Sequence, residues 1–241
     1  MAILCAAAVR AQSAPFQLRP DDVIALTGGA NLERTRFNGH LQAQLAAADP
    51  ALRLRVRNLA WEGDTVFEQW RDEGKEQWRL SRDWKELLTN NHATVVLAQF
   101  GQMESLGGAA KLDAFVVAYD KLLDDFTASG RHVVLLSPIP FEKTSSPTLP
   151  DLSGRNGDAR KYTEAIRALA TRRRLGFVDL FTSLSKQRAT PLTDNGYQLN
   201  EHGHSVAAAE ITRRLGLKPK PAASLDAVRA AAVEFERLWF D

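Results

Sequence analysis

The sequence has almost no cysteine, no long apolar run and no excess of one charge. Its 241 residues include a single cysteine, Cys5, so an intramolecular disulfide is excluded. No apolar stretch reaches the roughly 20 residues that a membrane-spanning helix needs, which predicts no membrane span. The 31 lysines and arginines are balanced by 29 aspartates and glutamates. This balance argues against a protein that binds nucleic acid through its charge.

The N-terminal residues are unusually apolar. Residues 1–9 contain no charged side chain, and Cys5 is the most polar residue among them. Val9-Arg10-Ala11 could precede a signal-peptidase cut. This pattern predicts a signal peptide without its basic start, and therefore export to the periplasm or the cell exterior. Cys5 would be removed with it. The alternative interpretation is a frayed N-terminal segment.

Short apolar segments alternate with helical patterns along the rest of the chain. The first apolar run, residues 22–27, stops at Gly28-Gly29 and is followed by a helical pattern. Further strands are predicted at residues 52–57, 93–100, 133–136 and 177–180, and helices at 39–48, 66–91, 112–128, 158–174, 201–215 and 225–240. This alternation predicts an α/β fold, a three-layer α/β/α sandwich with a mostly parallel five-stranded sheet. Ligands bind such sheets at the carboxyl ends of the strands.

The domain boundaries follow from composition. Residues 1–20 are predicted to be the signal peptide and lead-in, and residues 21–217 a single domain. Pro219 and Pro221 mark a linker, so residues 218–241 are predicted to be this linker and a C-terminal amphipathic helix.

Four segments that follow strands or precede a helix carry most of the candidate functional residues. They are residues 27–31, 58–64, 100–105 and 193–204. Their order and spacing resemble those of the SGNH, or GDSL, hydrolases, a family of esterases, lipases and carbohydrate deacetylases with a flavodoxin-like sheet. The resemblance extends over residues 22–215.

The resemblance assigns a role to one position in each segment, and most of these positions are substituted. Ala30 stands where the family has its nucleophilic serine, and Met103 where an asparagine donates to the oxyanion. Asn195 and Gln198 stand at the positions of the aspartate and the histidine base. Gly63 matches the glycine whose backbone N–H serves the oxyanion hole. Alanine has no hydroxyl to act as nucleophile, and glutamine is not a base at neutral pH. The family mechanism therefore predicts an inactive chain.

A rearranged catalytic site is the alternative. Ser105 or Thr27 would then be the nucleophile, Asp194 the orienting acid and His202 the base, with His204 nearby. The simpler interpretation is that His202 is an exposed residue in the first turn of a helix and His204 a packing residue. His202-Gly203-His204 has no third ligand at a suitable spacing, so neither a metal nor a cofactor is predicted.

Other residues of these segments are expected to line a ligand cleft. They are Gly29, Asn31, Asn58, Trp61, Gly63, Asp64, Gly101 and Glu104, with Glu62 a further acidic group near the presumed cleft. Trp61 lies in the second segment and could stack on a sugar ring, whereas Trp70, Trp78 and Trp84 are expected to pack against the sheet.

Three functional hypotheses remain. The first is a non-catalytic domain that binds a small molecule, with a glycan as one candidate. The second is a working ester hydrolase or carbohydrate deacetylase with displaced catalytic residues. The third is a structural module, because a softer resemblance links the chain to a branch found in large modular exported proteins. That third hypothesis predicts neighbouring domains as partners and an exposed apolar stripe on residues 225–240.

Overall fold

A computed structural model describes residues 17–67, 83–144, 146–187 and 189–240. Residues 1–16 of the predicted signal peptide and lead-in, with Cys5, and the residues Trp70 and Trp78 lie outside these ranges. No helix within the described ranges is both long and apolar enough to cross a membrane.

The core of the fold is a parallel five-stranded sheet. The strands are β1 (Val23–Gly28), β2 (Arg55–Asn58), β3 (Val95–Gln99), β4 (His132–Leu136) and β5 (Gly176–Val178). They are ordered β2-β1-β3-β4-β5, and all four neighbouring pairs are parallel. The α/β architecture predicted from the alternating pattern is confirmed.

Helices surround the sheet. They are α1 (Ala30–Glu33), α2 (Thr35–Asn38), α3 (His40–Ala48), α4 (Trp84–Asn90), α5 (Leu112–Thr127), α6 (Asn156–Arg173), α7 (Leu180–Leu184), α8 (Glu201–Arg214) and α9 (Asp226–Phe240). One layer, from α4, α5 and α6, packs on the sheet face that carries Val96 and Ala98. The other, from α1, α3, α7 and α8, packs on the face that carries Val95 and Leu97. Successive residues of a strand point to opposite faces of the sheet. Because helices cover both faces, both faces are apolar.

Local sequence explains where the elements differ from their predicted bounds. The strand expected at residues 52–57 begins only at Arg55, because Pro50–Leu52 form a 3₁₀ turn in which Asp49 accepts from the Ala51 N–H. Helix α7 was not predicted. It begins where Asp179 accepts a hydrogen bond from the Thr182 N–H, as an N-cap residue does.

The C-terminal helix α9 packs against α2 and α3. Arg229 Nε donates to the Asn38 carbonyl at 3.1 Å, and Gln42 Nε2 donates to Glu236 Oε1 at 3.2 Å. Its outer side leaves Phe235, Leu238 and Trp239 exposed.

Candidate functional site

The candidate site lies at the carboxyl ends of β1 and β3. The chain proceeds from β1 to β2 on one side and from β3 to β4 on the other, so these neighbouring strands flank the point where the sheet order reverses. Gly28 ends β1 with φ +139°, and a Cβ there would lie 2.2 Å from the Gln99 carbonyl oxygen of β3. Only glycine permits this close approach.

A cavity of about 100 Å³ opens at this point, and we call it the cleft. It is lined by Gly29, Ala30, Asn31, Glu62, Asp64, Gln99, Phe100, Gln102, Met103, Glu104, Tyr197 and Gln198. The four predicted segments therefore meet here, although they are distant in sequence. Gln99, Phe100, Gln102 and Tyr197 were not predicted. Gln99 directly precedes a predicted segment and the other three lie within predicted segments, but a position in the sequence does not show which way a side chain points.

Four of the predicted cleft residues lie outside the cleft. Asn58 is 1% exposed, because its amide donates to the Leu32 and Glu33 carbonyls, which fixes the turn after α1. Gly101 is enclosed by hydrophobic side chains, and Gly63 is exposed with nothing close to it. Trp61 is half-buried beside the cleft and does not line it.

Gln198 is held between two polar side chains. Its Nε2 donates to Glu62 Oε1 at 2.9 Å, and its Oε1 accepts from Asn195 Nδ2 at 2.7 Å. Asn195 Oδ1 in turn accepts from the Gln198 backbone N–H at 2.9 Å. These contacts fix the orientation of the amide, so that Asn195, Gln198 and Glu62 form one hydrogen-bonded chain along the cleft.

The segment that carries Gln198 is held rigidly before α8. The Glu142 carboxylate accepts from the backbone N–H groups of Leu192 and Thr193 and from the Thr193 hydroxyl, the last at 2.6 Å. Asn31 binds the same segment from the other side, since its amide donates to the Tyr197 carbonyl and accepts from the Leu199 N–H. Gln198 is thus preorganised by contacts from two distant parts of the chain.

Glu104 connects the third segment to Val66, two residues beyond the second segment. Its carboxylate oxygens accept from the Val66 N–H and the Gly101 N–H, each at 2.9 Å. Burial raises the pKa of Glu104, and the backbone N–H groups of Val66, Gly101 and Glu104 itself oppose this shift. We therefore regard Glu104 mainly as a connector, with one side bordering the cleft.

The residues of the rearranged catalytic hypothesis are not brought together. Ser105 is 0% exposed, and its hydroxyl donates to the Gln102 carbonyl at 2.8 Å. His202 is exposed on α8, and Asp194 is exposed 3.9 Å from Arg34. His204 is buried and borders a second groove, away from Ser105. Within the described chain, no hydrogen bond joins Ser105 or Thr27 to any of these three residues.

A family model for the GDSL-like lipases and acylhydrolases matches residues 24–206. The chain belongs to this family. No curated protein sequence matches the chain.

Solved structures share the fold. A catalytic mutant of Axe2, an acetylxylan esterase from Geobacillus stearothermophilus, is 16% identical with a TM-score of 0.66, and the match covers 84% of this chain and 98% of Axe2. A GDSL-like lipase from Parabacteroides merdae, described as putative, is 17% identical with a TM-score of 0.66 and coverage of 85% and 100%. BT4096, a gut microbial diltiazem-metabolizing enzyme, is 17% identical with a TM-score of 0.65. That match covers 83% of this chain and 48% of BT4096, so the chain spans about half of that enzyme.

Ala30 and Gln198, which the sequence resemblance assigns to the nucleophile and the base, both line the cleft. Met103, which the resemblance assigns to the oxyanion donor, is 44% exposed at the rim. Gln102 lies beside it, and its Oε1 accepts from the Ile139 N–H at 2.7 Å, which orients its amide nitrogen. That nitrogen has no hydrogen-bond partner. Gln102 therefore places a buried, unpartnered amide nitrogen beside Met103.

The described residues contain no group of three or more histidine, cysteine, aspartate or glutamate side chains arranged to hold a metal ion.

Proposed function

We propose that this GDSL-family chain is a non-catalytic domain that binds a small polar ligand, of carbohydrate type, in the cleft. One observation carries the proposal. The side chain at the base position is an amide, Gln198, fixed by Asn195 and Glu62, and it lines the same cavity as the methyl group of Ala30. The cleft thus has neither a hydroxyl nor a proton acceptor where acyl transfer requires them.

The solved Axe2 structures support this proposal by analogy. Three are described as catalytic mutants, in which a serine, an aspartate or a histidine is replaced by alanine. This chain carries Ala30, Asn195 and Gln198 at the positions that the family resemblance assigns to those three residue types. We infer that it has the corresponding losses together.

The groups around the cleft suit a ligand with hydroxyl groups. The exposed Glu62 offers a carboxylate acceptor, and the buried Asp64 side chain and the unpartnered Gln102 amide nitrogen line the same cavity. Sugar hydroxyls both donate and accept, so they can satisfy this mixture without a net charge on the ligand. A cavity of about 100 Å³ has room for a substituent of a few heavy atoms, such as an acetyl or hydroxymethyl group, and not for a whole sugar ring.

Ester hydrolysis by single and combined variants tests the loss of catalysis. The wild-type chain and Ala30→Ser should both give no turnover of p-nitrophenyl acetate above background, because a serine without a base remains protonated. Adding Met103→Asn, Asn195→Asp and Gln198→His to Ala30→Ser should raise turnover, since the rigid segment would then present a base. Appreciable hydrolysis by Ala30→Ser alone would refute our account of residue 198.

The alternative enzyme hypothesis predicts a different result. Wild-type turnover that Ser105→Ala or His202→Ala abolishes would establish displaced catalytic residues and overturn the proposal. Ligand binding is tested separately by calorimetry with xylo-, cello- and chito-oligosaccharides. Glu62→Gln should weaken binding, whereas Glu164→Gln, an exposed carboxylate on α6, should not.

A role as a module beside other domains is a second candidate, and the surface of α9 favours it. The Arg57 guanidinium lies 4.7 Å from the centre of the Trp239 ring and 5.4 Å from that of Phe235. These rings are held in place and are still exposed. Export of the domain remains a proposal that rests on the apolar residues 1–9.

A further inference from the structure

A second and larger groove adjoins the cleft. Its volume is about 430 Å³, and its lining includes Glu33, Arg34, Phe37, Asp194 and His204. Glu62 lines both cavities, so the carboxylate that holds Gln198 is also the boundary between them. A ligand seated in the cleft would extend into this groove across Glu62.

An exposed aromatic ring borders the groove. Phe37, on the short helix α2, is 67% exposed. The Arg36 guanidinium lies 4.9 Å from the centre of the Phe37 ring, and Arg36 is itself held by an ion pair with Glu33. The guanidinium covers one face of the ring and orients it, which leaves the opposite face for stacking.

Polar groups border the same groove near α8. Asp194 and Arg34 are 3.9 Å apart, so their charges largely compensate each other. His204 is 5% exposed, and its Nε2 has no hydrogen-bond partner. An unpartnered buried ring nitrogen is costly unless a ligand or water satisfies it. Paired charges, an unpartnered ring nitrogen and an exposed aromatic face suit a neutral ligand rich in hydroxyl groups better than an ion.

We propose that this groove is a second carbohydrate subsite and that the ligand is an oligosaccharide. One end of the chain enters the cleft, and a following sugar ring stacks on Phe37 beyond Glu62. This inference rests on the proposed function, and it adds that affinity depends on the length of the sugar chain.

Binding of oligosaccharides of different length tests the second subsite. Affinities for the di- and tetrasaccharides of the xylo-, cello- and chito- series should be measured by calorimetry for the wild-type chain, Phe37→Ala and Phe235→Ala. Phe235, on α9, is an exposed phenylalanine that lines neither cavity, so it is the matched control. In the wild-type chain, at least one tetrasaccharide should bind more tightly than its disaccharide.

The expected effect of Phe37→Ala is a roughly three- to tenfold weaker affinity for that tetrasaccharide, the range of an aromatic stacking contact. Phe235→Ala should leave the affinity for every sugar as in the wild-type chain. Tetrasaccharide binding that is unaffected by Phe37→Ala would overturn the second subsite alone, provided that Glu62→Gln still weakens binding. Absence of binding by all six sugars to the wild-type chain would overturn the subsite and the proposed carbohydrate ligand together.

Discussion

At the scale of single residues, Gln198 can donate and accept hydrogen bonds but cannot act as a base at neutral pH. Gln198 both donates and accepts, and its neighbours Asn195 and Glu62 use these two capacities. A histidine at the same place could also change its protonation near neutral pH, whereas an amide cannot. These contacts explain why the segment before α8 is ordered although residue 198 is not a base.

His204 gives a second residue-scale consequence, a dependence of stability on pH. Burial, together with the nearby charges of His40 and Arg34, lowers the pKa of His204 from 6.5 to about 4, and Glu201 opposes this shift. Between these values the unfolded chain binds a proton that the folded protein does not. The contribution is therefore complete above pH 6.5 and is lost as the pH falls toward 4.

We expect the free energy of unfolding to decrease by on the order of 2–3 kcal/mol more in wild type than in His204→Leu between pH 7.5 and pH 4.5. Urea denaturation at the two pH values measures both changes. The comparison is needed because burial raises the pKa of Glu33 and Glu236, which acts in the opposite direction. An equal pH dependence of the unfolding free energy in the two proteins would show that His204 is protonated in the folded state at pH 4.5.

At the scale of elements, the packing of α9 depends on one glycine between α2 and α3. Gly39 has φ +66°, and a Cβ there would lie 2.8 Å from the Arg229 carbonyl oxygen of α9. Residue 39 therefore needs both a left-handed backbone and the absence of a side chain. Gly130 has φ +74° with nothing within 4 Å of the corresponding Cβ position, so it isolates the backbone term.

Gly130→Ala should cost about 1 kcal/mol of unfolding free energy, the penalty of the left-handed conformation. Gly39→Ala should cost at least about 1 kcal/mol more, because the added methyl group displaces α9. Chemical denaturation of both variants gives the difference. Equal costs would mean that α9 does not press on residue 39 in solution.

At the scale of the whole molecule, both faces of the sheet are buried. Truncation of either of two adjacent strand residues should therefore destabilise the protein. Val96 faces the layer of α4, α5 and α6, and Leu97 faces the layer of α1, α3, α7 and α8. Both are fully buried. In a sheet with one face in water, one of the two would be a surface residue.

We expect Leu97→Ala to destabilise the protein by about 2–5 kcal/mol and Val96→Ala by about 1.5–3 kcal/mol. Val117→Ala, at an exposed position on α5, should change stability by less than about 0.5 kcal/mol. Thermal or urea unfolding of the three variants provides the test. A negligible effect at either strand position would argue against the helical layer on the face that this residue occupies.

The sequence by itself determined the order of strands and helices, the parallel α/β class and the blocks that meet at the sheet edge. These depend on local patterns of apolar residues and on turns, which can be read within one segment. It also indicated the substituted positions, Ala30 and Gln198, since residue types are explicit in a sequence.

Only the tertiary structure decided which side chains share the cleft. Asn58 turned to the Leu32 and Glu33 carbonyls, whereas Gln102 and Tyr197 were found in the lining. The hydrogen bond between Gln198 and Glu62 joins residues that are 136 positions apart. The position of Glu62 between the two cavities likewise depends on segments that are distant in sequence. Such contacts depend on side-chain direction and on the packing of distant segments, and neither is encoded in local periodicity.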